Sequence, residues 1–232
     1  MHGSTSAAEE IRALTFDDLP LAPFLKETVS EIGYTTPTPI PELLRLAEAV
    51  AREAGSYARS VDPAALVLDE KTNQMDIVTQ VDTRNERVIR ETVLAQFPDH
   101  EFLGEEFGAS APSATASASD ASQRVRWIID PVDGTVNFAH GLPIWCVSVG
   151  VEVGGTVECG AIYHPHLDEM FTAVRGEGAF LNGKRLSVSR QTDPTKGLFV
   201  TGFPYNVHEN PQQVIESFSK FLRKGLLVRR LG

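Results

Sequence analysis

Cysteine is scarce in this chain, with Cys146 and Cys159 the only two in 232 residues. Two thiols in apolar, strand-like runs support neither a disulfide framework nor a zinc site, and both are expected to be buried and free. Basic residues are also few: 21 Lys and Arg stand against 31 Asp and Glu, a net charge of −10. That excess of negative charge argues against nucleic acid or an anionic membrane surface as the main partner. Long apolar runs are missing too. None approaches the ~20 residues that span a bilayer, and residues 1–15 lack the basic start and apolar stretch of a secretory signal. The cytoplasm is therefore the expected compartment. There is no internal repeat. With a hydrophobic fraction of 42%, ordinary for a globular protein, the chain can bury one substantial core, or hold one domain and part of another.

The densest chemistry lies in WIIDPVDGTVNFAHGLP, from Trp127 to Pro143. Arg126-Trp127-Ile128-Ile129 has the bulky, β-branched character of a buried strand, and Pro131 predicts that this strand ends at Asp130. Asp130 and Asp133 flank Pro131-Val132, so both carboxylates can face one pocket, with the Val132 carbonyl as a third oxygen. Hard divalent cations such as Mg²⁺ prefer such ligands. Gly134-Thr135 adds a backbone free of bulk and a hydroxyl, which lets amide N–H groups approach a phosphate. The same residues also suit a plain turn, in which Asp130 and Asp133 hydrogen-bond their own backbone. Upstream, Gly104-Glu105-Glu106 follows the apolar pair Phe102-Leu103, and Glu105 is the candidate third ligand; the alternative is a solvated surface pair. Asp82 is either a more distant metal ligand or an acid favouring a helix N-terminus, where Thr83 and Glu86 have the spacing of a capping box. None of the six histidines is assigned to catalysis.

Taken in order, these motifs resemble the Mg²⁺-dependent, lithium-sensitive inositol monophosphatases of the fructose-bisphosphatase-like superfamily. The resemblance rests on Lys71 with Asp76-x-x-Thr79-x-x-Asp82, on Gly104-Glu105-Glu106, and on Trp127-Ile-Ile-Asp130-Pro-Val-Asp133-Gly-Thr135-x-Asn137-Phe138. It extends from about Leu43 to Gly232, through Gly176-x-Gly178-Ala179-Phe180-x-Asn182-Gly183 and Thr201-Gly202-Phe203-Pro204-Tyr205. It implies an α+β fold with the alternating layers of the sugar phosphatases. It also implies hydrolysis of a small phosphorylated polyol, most directly inositol monophosphate, with two or three Mg²⁺ ions and a homodimeric enzyme. Glu105, Asp130 and the Val132 carbonyl would hold the first metal, and Asp130 with Asp133 the second. Asp82 would touch a third through water, Glu105 with Thr135 would orient or deprotonate the attacking water, and backbone groups around Gly134 and Thr135 would bind phosphate. Family members continue into a Trp-Asp motif whose aspartate completes the second metal site, and no such dipeptide occurs in this chain. A missing C-terminal part and impaired turnover are expected on that ground. Phosphatases of other sugar or nucleotide phosphates share the motif, and a non-catalytic chain that binds a family member through exposed strands is the alternative from another class.

Residues 1–41 read as a leader. Phe16-Asp17-Asp18-Leu19-Pro20-Leu21 and Gly33-Tyr34-Thr35-Thr36-Pro37-Thr38-Pro39-Ile40 resemble the adenine-reading N-terminal motif of DEAD-box RNA helicases, but Pro41 stands where that motif has glutamine. No GxxxxGK[ST] loop follows. From residue 42 to 232 a single phosphatase-like domain is expected. Within it, Leu43–Arg59 predicts an amphipathic helix with Leu43, Leu46, Ala47, Val50 and Ala54 on one face. A second helix is expected from Thr83 to about Phe97, burying Val88, Ile89, Val93 and Phe97. Residues 109–123, rich in Ala and Ser, are too poor in bulky apolar side chains to pack. From Ile144 to Ser189, turns at Gly154-Gly155, Arg175–Gly178 and Asn182-Gly183 predict an antiparallel meander. Asn210-Pro211 opens a last helix as N-cap and N1, and Lys224-Gly225 closes it.

Overall fold

A computed structural model describes residues 40–70, 77–110, 124–204 and 206–231. The helicase-like leader up to Pro39, Lys71, Asp76, the stretch 111–123 and Tyr205 lie outside the described residues. The first element among the described residues is helix α1 (Ile40–Ser60), and the periodic face Leu43, Leu46, Ala47, Val50 and Ala54 is buried as expected. Ile40 and Pro41, read as the end of the leader, form its first residues. Strands β1 (Leu68–Glu70) and β2 (Ile77–Thr79) pair antiparallel and lead into helix α2 (Gln80–Gln96). This helix starts three residues earlier than predicted. Its capping box is Thr79 with Asp82, not Thr83 with Glu86, because Thr79 is the residue that leaves the extended strand and turns. Ile89 and Val93 are buried, whereas Val88 and Phe97 are half-buried.

Strands β3 (Glu101–Gly104), β4 (Gly108–Ala109), β5 (Val125–Asp133), β6 (Cys146–Val153), β7 (Thr156–His164), β8 (Glu169–Val174), β9 (Gly178–Leu181) and β10 (Lys184–Arg185) form one sheet, with helix α3 (Thr135–Ala139) between β5 and β6. Their spatial order is β10-β9-β8-β7-β6-β5-β3-β4. The expected meander is there, from β6 to β10, and the one parallel pairing among the described strands of this sheet is β3 with β5. Alternation puts Val147, Val149 and Val151 of β6 and Cys159, Ala161 and Tyr163 of β7 on one face, where they pack with Trp127, Ile129 and Phe102 against α1 and α2. The layers are helices on an antiparallel-dominated sheet, an α+β fold. No helix among the described residues is long and apolar enough to cross a membrane.

Strand β5 departs from its expected end. It continues through Pro131 to Asp133, and its ladder to β6 slips between Asp130↔Ser148 and Asp133↔Cys146, so three steps on β5 match two on β6. Proline, which has no N–H to give, sits inside that bulge, where the ladder bond is already absent. A second, smaller apolar cluster lies beneath this bend: Ala58, Val81, Val132, Phe138 and Trp145. It ties the end of α1, the start of α2 and the turn after β5 to one another. Further along, β11 (Leu198–Thr201) and β12 (Leu227–Arg230) pair parallel across helix α4 (Gln212–Arg223). Here Pro211 occupies the cap position, and no side chain caps the helix, so Asn210 lacks its expected role.

Candidate functional site

The parallel pairing of β3 with β5 creates the site. Gly104 lies opposite Ile129, and the Glu105 N–H donates to the Ile129 carbonyl at 3.2 Å. The residue after each position, Glu105 and Asp130, is thereby brought together at the carboxyl ends of neighbouring strands. The two side chains share a hydrogen bond, and Asp133 is close enough for its charge to act on Asp130. Burial first, then the Glu105 charge and that hydrogen bond, then Asp133, push the Asp130 carboxyl up to about 8, against the opposing Val132 N–H. The protonated form of Asp130 is therefore favoured relative to that of an exposed aspartate. The plain-turn alternative is also partly realised, because Asp130 Oδ1 accepts the Val132 N–H at 3.2 Å.

Gly134 closes the bend. It has φ of 97°, and a Cβ there would lie 3.2 Å from both the Ile144 carbonyl oxygen and the Trp145 Cβ. Only glycine meets both demands at low cost. Thr135 follows, buried, with its Oγ1 2.9 Å from the Val132 carbonyl oxygen and 3.2 Å from Asp82 Oδ1. One hydroxyl proton faces two acceptors, so Thr135 can serve one and keep its lone pairs for a third group. Asp82 is fully buried. Its Oδ2 accepts the Thr79 N–H at 2.9 Å and the Thr79 hydroxyl, and burial raises its pKa despite those bonds. Asp82 thus both caps α2 and braces Thr135.

Cys146 belongs to the same corner, which its sequence context did not indicate. It is half-buried rather than buried, with Sγ 3.7 Å from Asp133 Oδ2. Burial, followed by the Asp133 and Asp130 charges, pushes the thiol up to about 12, which favours its protonated form. Only the cross-strand register past the bulge places it opposite Asp133. Glu86, whose spacing from Thr83 suits a capping box, is instead fully buried and bonded to the turn that carries Glu105.

Asp130 has Glu105 and Asp133 as neighbours, and the Thr135 hydroxyl lies between the Val132 carbonyl and Asp82. All these donors are hard oxygens, which suit a divalent cation such as Mg²⁺. Crowded carboxylates that retain a proton are a charge arrangement in which a cation can take the proton's place. Among the described residues no three His, Cys, Asp or Glu side chains are gathered closely enough to form a metal cage. The fit is one of donor type and charge.

The profile of the inositol monophosphatase family matches residues 40–232. Inositol monophosphatase 1 of Solanum lycopersicum is 39% identical over 162 residues, which cover 70% of this chain and 57% of that protein. The chain thus spans a little over half the length of that relative. Among solved structures, the extragenic suppressor protein suhB from Bartonella henselae superposes with a TM-score of 0.71 at 32% identity, over 82% of this chain and 70% of that one. An inositol monophosphatase from Anabaena gives a TM-score of 0.67 at 32% identity, covering 84% and 68%. The fold, the order of the motifs and the matched profile agree, and the chain belongs to the inositol monophosphatase family.

Proposed function

We propose that the chain carries the metal-binding and water-activating part of a phosphomonoesterase for inositol monophosphate or a similar small polyol phosphate. The observation that supports this reading is the hydrogen-bonded Glu105–Asp130 pair with Asp133 beside it. Glu105, Asp130 and the Val132 carbonyl would hold one Mg²⁺, Asp130 and Asp133 a second, and Asp82 a third through water. Bound cations would supply Lewis-acid polarisation of the phosphoryl oxygens and charge compensation for the leaving alkoxide. When the Thr135 hydroxyl donates to Asp82, its lone pairs are left to accept from a water, so Thr135 and Glu105 bracket the nucleophile. Glu105 then takes the water's proton. Gly134 and Thr135 present backbone to the phosphate, and no covalent nucleophile is required. The test is phosphate release from inositol 1-phosphate across a Mg²⁺ titration. Saturable, lithium-sensitive release that disappears in Asp130→Asn supports the reading, and turnover unchanged by that substitution overturns it.

A second reading has one observation of its own. Leu198, Val200 and Leu227 are exposed on the same side of the β11–β12 pair, while Phe199 and Phe203 face α4 through Phe221 and Phe218. An open apolar strand face favours association with a second copy of the chain. Light scattering coupled to size exclusion distinguishes the two states: a dimer supports association, and a compact monomer at high concentration rejects it.

A further inference from the structure

Glu86 is fully buried on α2, and its chemistry is spent on the turn led by Glu105. Its Oε2 accepts the Glu106 N–H at 2.7 Å, and its Oε1 accepts the Phe107 N–H at 3.3 Å. Arg90, one helical turn on, donates to Glu86 Oε1 from Nε at 2.9 Å, lies 2.7 Å from it through Nη2, and donates from Nη2 to the Gly108 carbonyl at 2.6 Å. The guanidinium also lies near the Phe102 and Phe107 rings, 5.2 and 5.4 Å from their centroids. Gly104 is glycine because the carboxylate fills its side-chain space: a Cβ there would lie 1.8 Å from Glu86 Oε1. The turn is therefore gripped at its amides by an anion and at its exit carbonyl by a cation, from one face of one helix.

A buried ion pair is weak evidence for stability, since desolvation offsets most of its attraction. What this pair does is fix a backbone. We propose that Glu86 and Arg90 form a positioning clamp that sets where the Glu105 carboxylate meets Asp130, and thereby sets the affinity of the corner for a divalent cation. The clamp does not touch the cation. It rests on the metal-site reading above for its consequence, but not for its geometry.

Two measurements on the full chain test it. The first is Mn²⁺ binding, followed by the loss of the free-ion paramagnetic signal. Glu86→Gln should weaken binding about 10-fold or more, as loss of groups that orient ligands does. Wild-type affinity in the folded variant overturns the clamp. The second measurement needs no metal: urea midpoints for Glu86→Gln, Glu105→Gln and the double variant. Removing the Glu105 charge should shift the midpoint by altering its hydrogen bond to Asp130 and its charge crowding in the corner, and the size of that shift should change when the clamp is gone. Equal shifts in both backgrounds mean Glu86 is only structural, and overturn the proposal. A wild-type chain that fails to bind Mn²⁺ yet shows the coupling would sink the metal reading and leave the clamp standing. If Glu86→Gln does not fold, Arg90→Lys, which loses the forked donor to Gly108, carries both measurements.

Discussion

The two halves of β5 obey different rules. From Val125 to Ile129 the strand pairs in regular register with both neighbours, and its inward residues, Trp127 and Ile129, are buried in the main core. From Asp130 to Asp133 it slips register, contains a proline, and carries two carboxylates above the small cluster of Val132, Phe138 and Trp145. The first half gains free energy from apolar burial, about 1.5–3 kcal/mol per large side chain. The second holds like charges close together, an arrangement that opposes folding unless a proton or a cation intervenes. A chain that places these segments end to end on one strand uses the stability of one to hold the crowded carboxylates of the other.

The largest expected effect lies in the second half. Asp130→Asn should reduce Mg²⁺-dependent phosphate release to background in any form of the protein that turns over. In cation-free buffer the same substitution should leave the fold as stable as before or more so, because it removes a crowded titratable group. Loss of both activity and stability would mean that Asp130 supports the fold, and the contrast between the halves would fail. Trp127→Ala should do the opposite. It removes a fully buried ring and its Nε1 donation to His100 at 2.9 Å, at a cost of about 3–5 kcal/mol in urea denaturation. A loss under about 1 kcal/mol would show that the core re-forms around the gap.

Between the halves' extremes stands Gly134. Gly134→Ala meets a positive φ and two contacts at 3.2 Å, from the Ile144 carbonyl and Trp145. Strain alone costs about 1–2 kcal/mol. Because the contacts lie in the turn that carries Thr135, activity should fall further than stability does. Equal losses in a thermal melt and in turnover assays would place Gly134 with the core instead.

What the sequence made legible was local. The face of α1 follows from helical spacing alone, and the turns at Gly154-Gly155 and Asn182-Gly183 follow from residues that accept positive φ. The Asp130–Asp133 spacing and the Thr135 hydroxyl were likewise local signals. The bulge at Pro131 was not legible: a proline in a strand pattern reads as an end unless the partner's register is known. Glu86 was hidden for a similar reason. It matches a capping box with Thr83, yet the backbone amides it accepts from are 20 and 21 residues away. Cys146 shows its relation to Asp133 only once β5 and β6 are paired. Such pairings arise from tertiary contact, on which single-residue spacing carries no information.

The smallest effect sharpens the comparison most, since the two halves should respond to pH with opposite sign. His100 accepts the Trp127 indole N–H on Nδ1 and stacks on Phe97 with centroids 4.5 Å apart. Burial lowers its pKa to about 4, against the raising influence of Asp99, so the folded state holds it neutral. Between about 4 and its ordinary 6.5 the unfolded chain binds more protons at this site than the folded one. Its contribution to stability is complete above 6.5 and is lost as pH falls toward 4. Asp130 reverses the relation. With its pKa raised from 3.8 to about 8, the folded state binds the extra proton, and that contribution is complete below 3.8 and lost as pH rises toward 8. In cation-free buffer, melting temperatures should therefore show His100→Gln flattening the acid limb and Asp130→Asn flattening the neutral-to-alkaline limb. Glutamine keeps an acceptor for Trp127 but cannot titrate. Saturating Mg²⁺ should act like Asp130→Asn on the upper limb and leave the His100 limb unchanged, because a cation held by the carboxylates would replace their shared proton, whereas the neutral imidazole is engaged with Trp127 and Phe97. If Mg²⁺ shifted both limbs alike, the two halves of β5 would form a single electrostatic unit rather than two.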